Sequence, residues 1–458
     1  MSDSVPCPRT ATPRPGQAWF DDARFGIFIH WGVYAVSARG EWEIYRDAVP
    51  KEVYRGYAER FVADRFDPEA WAEQVAASGA KYVVLTAKHH DGFCMFDSRH
   101  TDWKVTRTPL GRDVVAEVAD AVRAVGLRFG VYYSIWDLWH AGLDGGMAGI
   151  DAEGHAGFSE DPDAWRPSAA GIAYLHGQVE ELLTGYGKID LLWFDVRRAG
   201  AEAYDGARLM RRIRALQPDI LVNDRLVLGD AEIEDPDLLP DIITPENKIP
   251  PRGLRDASGR PVRWESCMCL NEHWGYCRDD RSYRSPRAVM ESIAEIASKG
   301  GNLLLNIGPT ARGEFPEPWY GDVLRGTGRW LSRQGESVYG TGPMVISSRG
   351  EPVHRWFTDS FKWRVAYTQR GDTLYAHVLR SSVDGLLSLP AMDGYRIARI
   401  TLMDDGSDVR FVRGSHLSRK PDEWTVMMPR HCGDDDSVVT LEIRLEPETA
   451  LGDRGGAS

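Results

Sequence analysis

The sequence predicts an α/β fold, a (β/α)8 TIM-like barrel followed by a small C-terminal β-sandwich. Eight short apolar runs recur over about 330 residues, and most are followed by a helical segment. That alternation is the signature of parallel strands joined by crossover helices. From Gly342 onward the helical segments stop, and short β-rich runs separated by Gly, Asp, Ser and Pro take over. The expected organisation is a disordered or extended N-terminus (1–17), a barrel (18–342), a β-sandwich (343–448) and a flexible tail (449–458). A doubly wound sheet is the alternative for the first part.

Phe25-Gly-Ile-Phe-Ile-His30 reads as the first strand, and a loop carrying Glu41 and Trp42 follows. Asp67 caps a helix with Pro68 in its first turn, and Gly79 ends it. Strand two, 81–86, runs into Lys88-His89-His90-Asp91-Gly92-Phe93. Helix 113–125 sets Val114, Val118, Val122 and Val125 on one face and stops at Gly126. Strand three, 127–133, leads to Ser134 and Trp136, and a Gly-rich insertion precedes a helix near 168–184. Strand four, 189–195, follows the Gly185/Gly187 turn signals and ends abruptly in the carboxylate of Asp195.

Helix 205–216 leads to strand five, 220–225, which closes on Asn223-Asp224-Arg225. Strand six, 241–246, is shorter and weaker, and 247–263 has no helical period, which marks a long loop. Strand seven is 264–269. Ser285-Pro286 caps a helix with Val289, Ile293 and Ile296 on its inner face; strand eight is 301–307, and a helix near 319–334 ends the series. The β-rich runs 363–367, 374–379, 397–403, 424–428 and 438–445 supply the sandwich.

A net charge of −13 argues against nucleic acid and anionic membranes as main partners. No run of about 18 apolar residues occurs, and the polar, proline-rich start lacks the apolar core of a signal peptide, so a cytoplasmic protein is expected. Six cysteines do not make a disulfide scaffold in so long a chain. Cys267, Cys269 and Cys277 lack the C-x2-C pairs of a structural zinc site. His89 and His90 are adjacent, and neighbours on extended backbone point oppositely, so they are not expected to share an ion. No metal and no cofactor is expected. G-x-S-x-G and Walker A motifs are absent, and Gly326-Thr-Gly328 lacks dinucleotide-binding spacing. Most of the 16 Trp must be core, although Trp and Tyr also line sugar clefts.

Position is more informative than composition. His30, His89, Asp195, Arg225 and Glu246 each fall at or just beyond the C-terminal end of a different strand, where an α/β barrel gathers its ligand-binding groups. A pair of carboxylates among aromatic and hydrogen-bonding groups is the minimum for glycoside hydrolysis. Asp195 is the candidate to attack the anomeric carbon, with a helix cap or buried ion pair as its alternative reading. Glu246 and Glu265 compete as proton donor.

At these positions the chain closely resembles the α-L-fucosidases of glycoside hydrolase family 29. The resemblance is carried by WFDDARFGIFIHWGVY (19–34), GEW (40–42), KHHDGFCMFDS (88–98), GLRFGVYYS (126–134), LLWFD (191–195), VNDR (222–225), TPE (244–246) and GGNLLLNIGPTARGEFP (300–316). It implies a barrel followed by a β-sandwich and a retaining double displacement on terminal α-L-fucosides, with Asp195 as nucleophile. It sets His30, Glu41, Trp42, His89, His90, Tyr132, Trp193 and Arg225 around the sugar. Thr244-Pro245-Glu246 matches a segment that supplies the acid/base, and Glu265, in Arg263-Trp264-Glu265, is the alternative. Val196, where glycine is frequent, and Ile44-Tyr45, in place of a more aromatic stretch, depart from the pattern on the leaving-group side. The implied partner is a fucosylated glycan or small fucoside. An α-galactosidase and a catalytically silent fucose-binding protein are the rival readings; linkage and oligomeric state, a homo-oligomer included, stay open.

Overall fold

The computed structural model describes residues 9–140, 142–143, 167–195, 201–226, 235–345, 357–359, 363–380, 385–392, 394–414, 423–429 and 437–448. Most of the Gly-rich insertion, Val196, the first eight residues and the tail from 449 lie outside the described residues. Two compact units divide the chain: Met1–Arg284 with Asn302–Arg325, and Ser285–Gly301 with Gly326–Ser458.

The first unit is built on seven parallel strands: β1 (Phe25–Ile29), β2 (Tyr82–Lys88), β3 (Arg128–Ser134), β4 (Leu191–Asp195), β5 (Leu221–Val222), β6 (Glu265–Cys269) and β7 (Asn302–Ile307). Their order is β5-β4-β3-β2-β1-β7-β6. β1, β2, β6 and β7 are buried along their whole length, as expected of strands covered on both faces and written as continuous apolar runs. Side chains two apart share a face, so Phe28 and His30, Tyr132 and Ser134, and Trp193 and Asp195 form pairs on single strands. Phe28, Val84, Tyr132, Trp193, Leu221 and Leu304 meet in one apolar cluster, which requires the sheet to curl around them.

Strand six of the sequence reading is not a strand. Within 241–246 only isolated parallel bridges form, Asn223 to Ile242 on one side and Ile243 to Trp264 and Glu246 to Cys267 on the other. Pro245 has no N–H, and a segment without that donor cannot complete a ladder on both sides.

Asp67 caps its helix as the sequence implies, and Asp113 caps the next; each accepts a hydrogen bond from the backbone N–H three residues on. Helices Glu43–Arg46 and Lys51–Glu59 occupy what reads as a loop after β1. The second buries only Tyr54 and Tyr57, too narrow an apolar stripe to stand out in the sequence. Among the described residues no helix is long and apolar enough to cross a membrane.

The second unit holds two antiparallel sheets. β8 (Gly342–Pro343), β9 (Phe357–Asp359), β10 (Arg364–Arg370), β11 (Thr373–Arg380), β13 (Tyr395–Leu402) and β16 (Val439–Pro447) form one; β12 (Leu386–Leu389), β14 (Arg410–Arg413) and β15 (Trp424–Met427) form the other. Val365, Tyr367 and Leu374 of the larger sheet share a single core with Leu387, Trp424 and Val426 of the smaller. That shared core is the defining feature of a sandwich.

Gly130 of β3 sits where a Cβ would lie 2.7 Å from the Leu191 carbonyl oxygen and 2.9 Å from Leu191 Cβ. Backbone on a neighbouring strand cannot step aside, so Gly130→Ala is expected to cost about 3 kcal/mol. A lower urea midpoint at unchanged slope would show it; an unchanged midpoint would contradict this packing.

Candidate active site

The curl of the sheet turns the ends of β1, β3 and β4 toward one cavity. Asp195 is the last residue of β4, and Tyr132 lies beside Trp193 in the β3–β4 register. The Tyr132 hydroxyl donates to Asp195 Oδ2 at 2.7 Å. Arg225, three residues beyond the end of β5, donates from Nη1 to Asp195 Oδ1 at 2.5 Å. Its Nη2 donates to Glu246 Oε2 at 2.9 Å. One planar guanidinium therefore holds both carboxylates, with its carbon 4.5 Å from the centre of the Trp193 ring. Burial works against the charge on Arg225, but Asp195, Cys267 and Glu246 together outweigh it and raise its pKa above the ordinary value.

His30, His89, His90 and Trp42 line the same cavity. His30 Nδ1 meets Asn306 Oδ1 at 2.6 Å, and His90 Nδ1 meets Ser134 Oγ at 2.6 Å. His90 Nε2 lies 3.7 Å from Asp195 Oδ2. Burial, with His89 beside it, pushes His30 well below the ordinary imidazole pKa; burial and His90 do the same to His89. Both rings are therefore neutral near pH 7, and a neutral imidazole offers one donor and one acceptor, which suits hydroxyl groups. His89 Nδ1 is buried with no hydrogen-bond partner among the described residues, so it leaves polar capacity for a ligand.

The expectation that His89 and His90 point apart does not hold. Their ring centroids are 4.1 Å apart and both face the cavity. β2 ends at Lys88, and the chain turns through His90-Asp91, so the two-residue alternation of a strand no longer applies. Immediately before them in the chain, Lys88 donates from Nζ to Asp137 Oδ2 at 2.9 Å, with both side chains fully buried.

Two predicted residues stand behind the cavity rather than in its lining. Glu265 opens β6, fully buried, and accepts from the Tyr82 hydroxyl and, at 3.2 Å, from Trp193 Nε1. Its role in the structure is to hold the indole that underlies Arg225. Glu41, also buried, accepts from Gly275 N at 2.7 Å and so anchors the loop after β6. Burial raises its pKa.

Phe28 and Trp274 line the cavity and were not singled out from the sequence. Phe28 carried a signal, since it precedes His30 by two on the same strand. Trp274 sits in an irregular loop with no periodicity to betray its direction. Asn306 was within a recognised motif but without a role; it bonds His30 and donates to the Trp274 carbonyl at 2.7 Å.

Comparison with known proteins follows the same lines. A family model described as alpha-L-fucosidase matches residues 6–336. The tissue alpha-L-fucosidase of Homo sapiens is 30% identical over 433 residues, covering 88% of this chain and 86% of its own. Alpha-L-fucosidase isoenzyme 1 from Paenibacillus thiaminolyticus is 40% identical with a TM-score of 0.82, covering 94% of this chain and 99% of that one. The Thermotoga maritima alpha-fucosidase, solved in complex with a mechanism-based inhibitor, is 27% identical with a TM-score of 0.74, covering 93% and 96%.

Burial pushes Glu265 up to about 7 from an ordinary 4.5. A carboxyl whose folded pKa is raised favours the fold fully below pH 4.5, and that contribution is lost as pH rises through 7. The loss amounts to about 3 kcal/mol. Glu265→Gln keeps an acceptor for Trp193 and removes the titration, so the fall in stability between pH 4.5 and 7.5 should be shallower than in the parent. Asp91, likewise raised to about 7 by burial, is present in both proteins and cancels. Parallel pH profiles of urea-unfolding free energy would refute the assignment.

Proposed function

The chain belongs to the α-L-fucosidase family and is a glycoside hydrolase, and from that premise we propose a retaining double displacement with Asp195 as nucleophile and Glu246 as acid/base. The observation that carries this reading is the Arg225 fork, which brings the two carboxylates to one site at the cavity. Tyr132 and Arg225 both donate to Asp195, an arrangement that favours the ionised, attacking form.

In the first step an Asp195 oxygen bonds to the anomeric carbon of a terminal α-L-fucoside. The bond to the leaving oxygen breaks, and that oxygen takes the proton of Glu246. In the second step Glu246 takes a proton from water, the water oxygen bonds to the anomeric carbon, and Asp195 leaves as carboxylate. The developing positive charge at the sugar is met by the Asp195 carboxylate. The neutral His30 and His89, with His90 and Trp42, bond and bracket the ring hydroxyls, and Phe28, Trp193 and Trp274 offer apolar surface to the 6-methyl group. The side chain of Glu246 is 45% exposed, as suits a group that must reach solvent water and leaving group alike, whereas Glu265 is sealed under Trp193. Fucosylated glycans and small fucosides are the proposed substrates.

The same reading takes the sheet as a closed, eight-membered barrel, with 241–246 filling the gap between β5 and β6. Asp241 N donates to the Val222 carbonyl at 2.8 Å and Glu265 N to the Ile243 carbonyl at 2.9 Å, which supports closure.

Asp195→Gly is expected to lower turnover of nitrophenyl α-L-fucoside by roughly 10³-fold or more, with partial recovery in azide. Near-normal turnover would remove Asp195 from the role. Glu246→Ala should slow an oligosaccharide, whose poor leaving group needs the proton, far more than the nitrophenyl fucoside; if Glu265→Gln shows that pattern and Glu246→Ala does not, the acid/base assignment is reversed. The parent should prefer nitrophenyl α-L-fucoside to nitrophenyl α-L-galactoside, which differs from it only by a 6-hydroxyl, by about 10²-fold, the scale on which an apolar wall rejects an added hydroxyl. Equal rates would favour the α-galactosidase reading.

A further inference from the structure

The loop after β6 serves two cavities. Trp274 faces the catalytic one, and two residues later Tyr276 lines a second, of about 610 Å³. That volume is within the range of sites that enclose a small organic ligand. It uses none of the residues assigned above to catalysis or to the fucosyl ring.

Two aromatic pairs are built into this groove. Trp71 and Phe315 stack at 5.1 Å, both buried, and Trp71 Nε1 is tied to the Gly313 carbonyl at 2.8 Å. Tyr283 and Trp319 stack nearly parallel, 5.0 Å apart with 11° between planes, and Trp319 is 39% exposed. An indole backed by a second ring and open on the groove is a rigid apolar platform, the surface that stacks against the C–H face of a pyranose.

The polar groups are planar and of mixed sign. Arg65 and Arg278 face Asp67, Glu314 and Glu317 around the same groove. That near balance suits a neutral, polyhydroxylated ligand and disfavours a phosphate or a polyanion. The side chains of Arg65 and Arg278 make no hydrogen bond or ion pair among the described residues, while the Arg278 backbone is pinned through its N–H to the Ala38 carbonyl at 2.9 Å.

We propose that this groove is a second carbohydrate-binding site, which takes a neutral oligosaccharide by stacking a sugar ring on Trp319 and bonding its hydroxyls through Arg278 and Arg65. The choice of ligand rests on the proposed action on fucosylated glycans.

The probe is lacto-N-tetraose, a fucose-free neutral oligosaccharide, titrated calorimetrically into the intact enzyme with the catalytic cavity saturated by free fucose. Binding is expected in the parent. It should weaken by roughly fivefold or more in both Trp319→Ala and Arg278→Ala. Nitrophenyl fucoside kcat/KM should stay within about twofold of the parent in each variant, since neither side chain lines the catalytic cavity. Thermal melts would show that the exposed substitutions leave the fold intact. A matching rise in KM for fucosylated lacto-N-tetraose in Trp319→Ala, at constant kcat, would show that the bound chain is part of the substrate being cleaved. An unchanged KM alongside weakened tetraose binding would show a separate chain; either supports the site. No binding by the parent, or equal affinity in parent and both variants, would overturn it. Failure of the parent to hydrolyse nitrophenyl fucoside would strike the proposed function instead and leave the calorimetry standing.

Discussion

One guanidinium stands between two carboxylates, and the cavity around it is arranged to keep it there. Arg225 bonds Asp195 and Glu246 through different nitrogens and lies over the Trp193 ring. A half-buried cation without partners would be costly, and two carboxylates each within hydrogen-bond distance of the same guanidinium would repel if it were removed. The planar fork fixes their mutual position in a way that a lysine, a single rotating point charge, could not.

That arrangement is supported from below. Trp193 is held by Glu265, itself held by Tyr82, so a carboxylate at the start of one strand governs the tilt of an indole in another. His30 is set by Asn306, His90 by Ser134, and the Trp274 loop by Glu41. Lys88, the residue before the two histidines, is closed in a fully buried pair with Asp137; an ion pair of this kind adds little net stability but tolerates few alternative geometries. Most of these partners belong to strands or their immediate ends, which position side chains more closely than free loops do.

Legibility followed local regularity. β4 was readable because an apolar run stops at a carboxylate, and that alone put Asp195 at the sheet's C-terminal edge. His30 and Arg225 were readable for the same reason. The segment 241–246 was over-read as a full strand, since Ile242-Ile243 supplies the pattern but Pro245 withholds a donor. The His89-His90 pair was read as extended, and the turn from His89 to Gly92 undid the alternation. Glu265 was read as a rival acid because its chemical type fits; nothing in its neighbours along the chain announces that Tyr82 and Trp193 enclose it.

By itself the sequence determined which residues could form parallel strands and where each strand must stop, because backbone periodicity and apolar runs act over a few residues. It therefore also determined which reactive side chains stand at strand ends. The tertiary structure alone decided which of them meet: that Arg225 reaches both Asp195 and Glu246, that Glu265 faces inward, and that Trp274 closes one cavity while Tyr276 opens another. Those outcomes depend on the curl of the sheet and on contacts between residues far apart in the chain, and no local pattern encodes a distance across the fold.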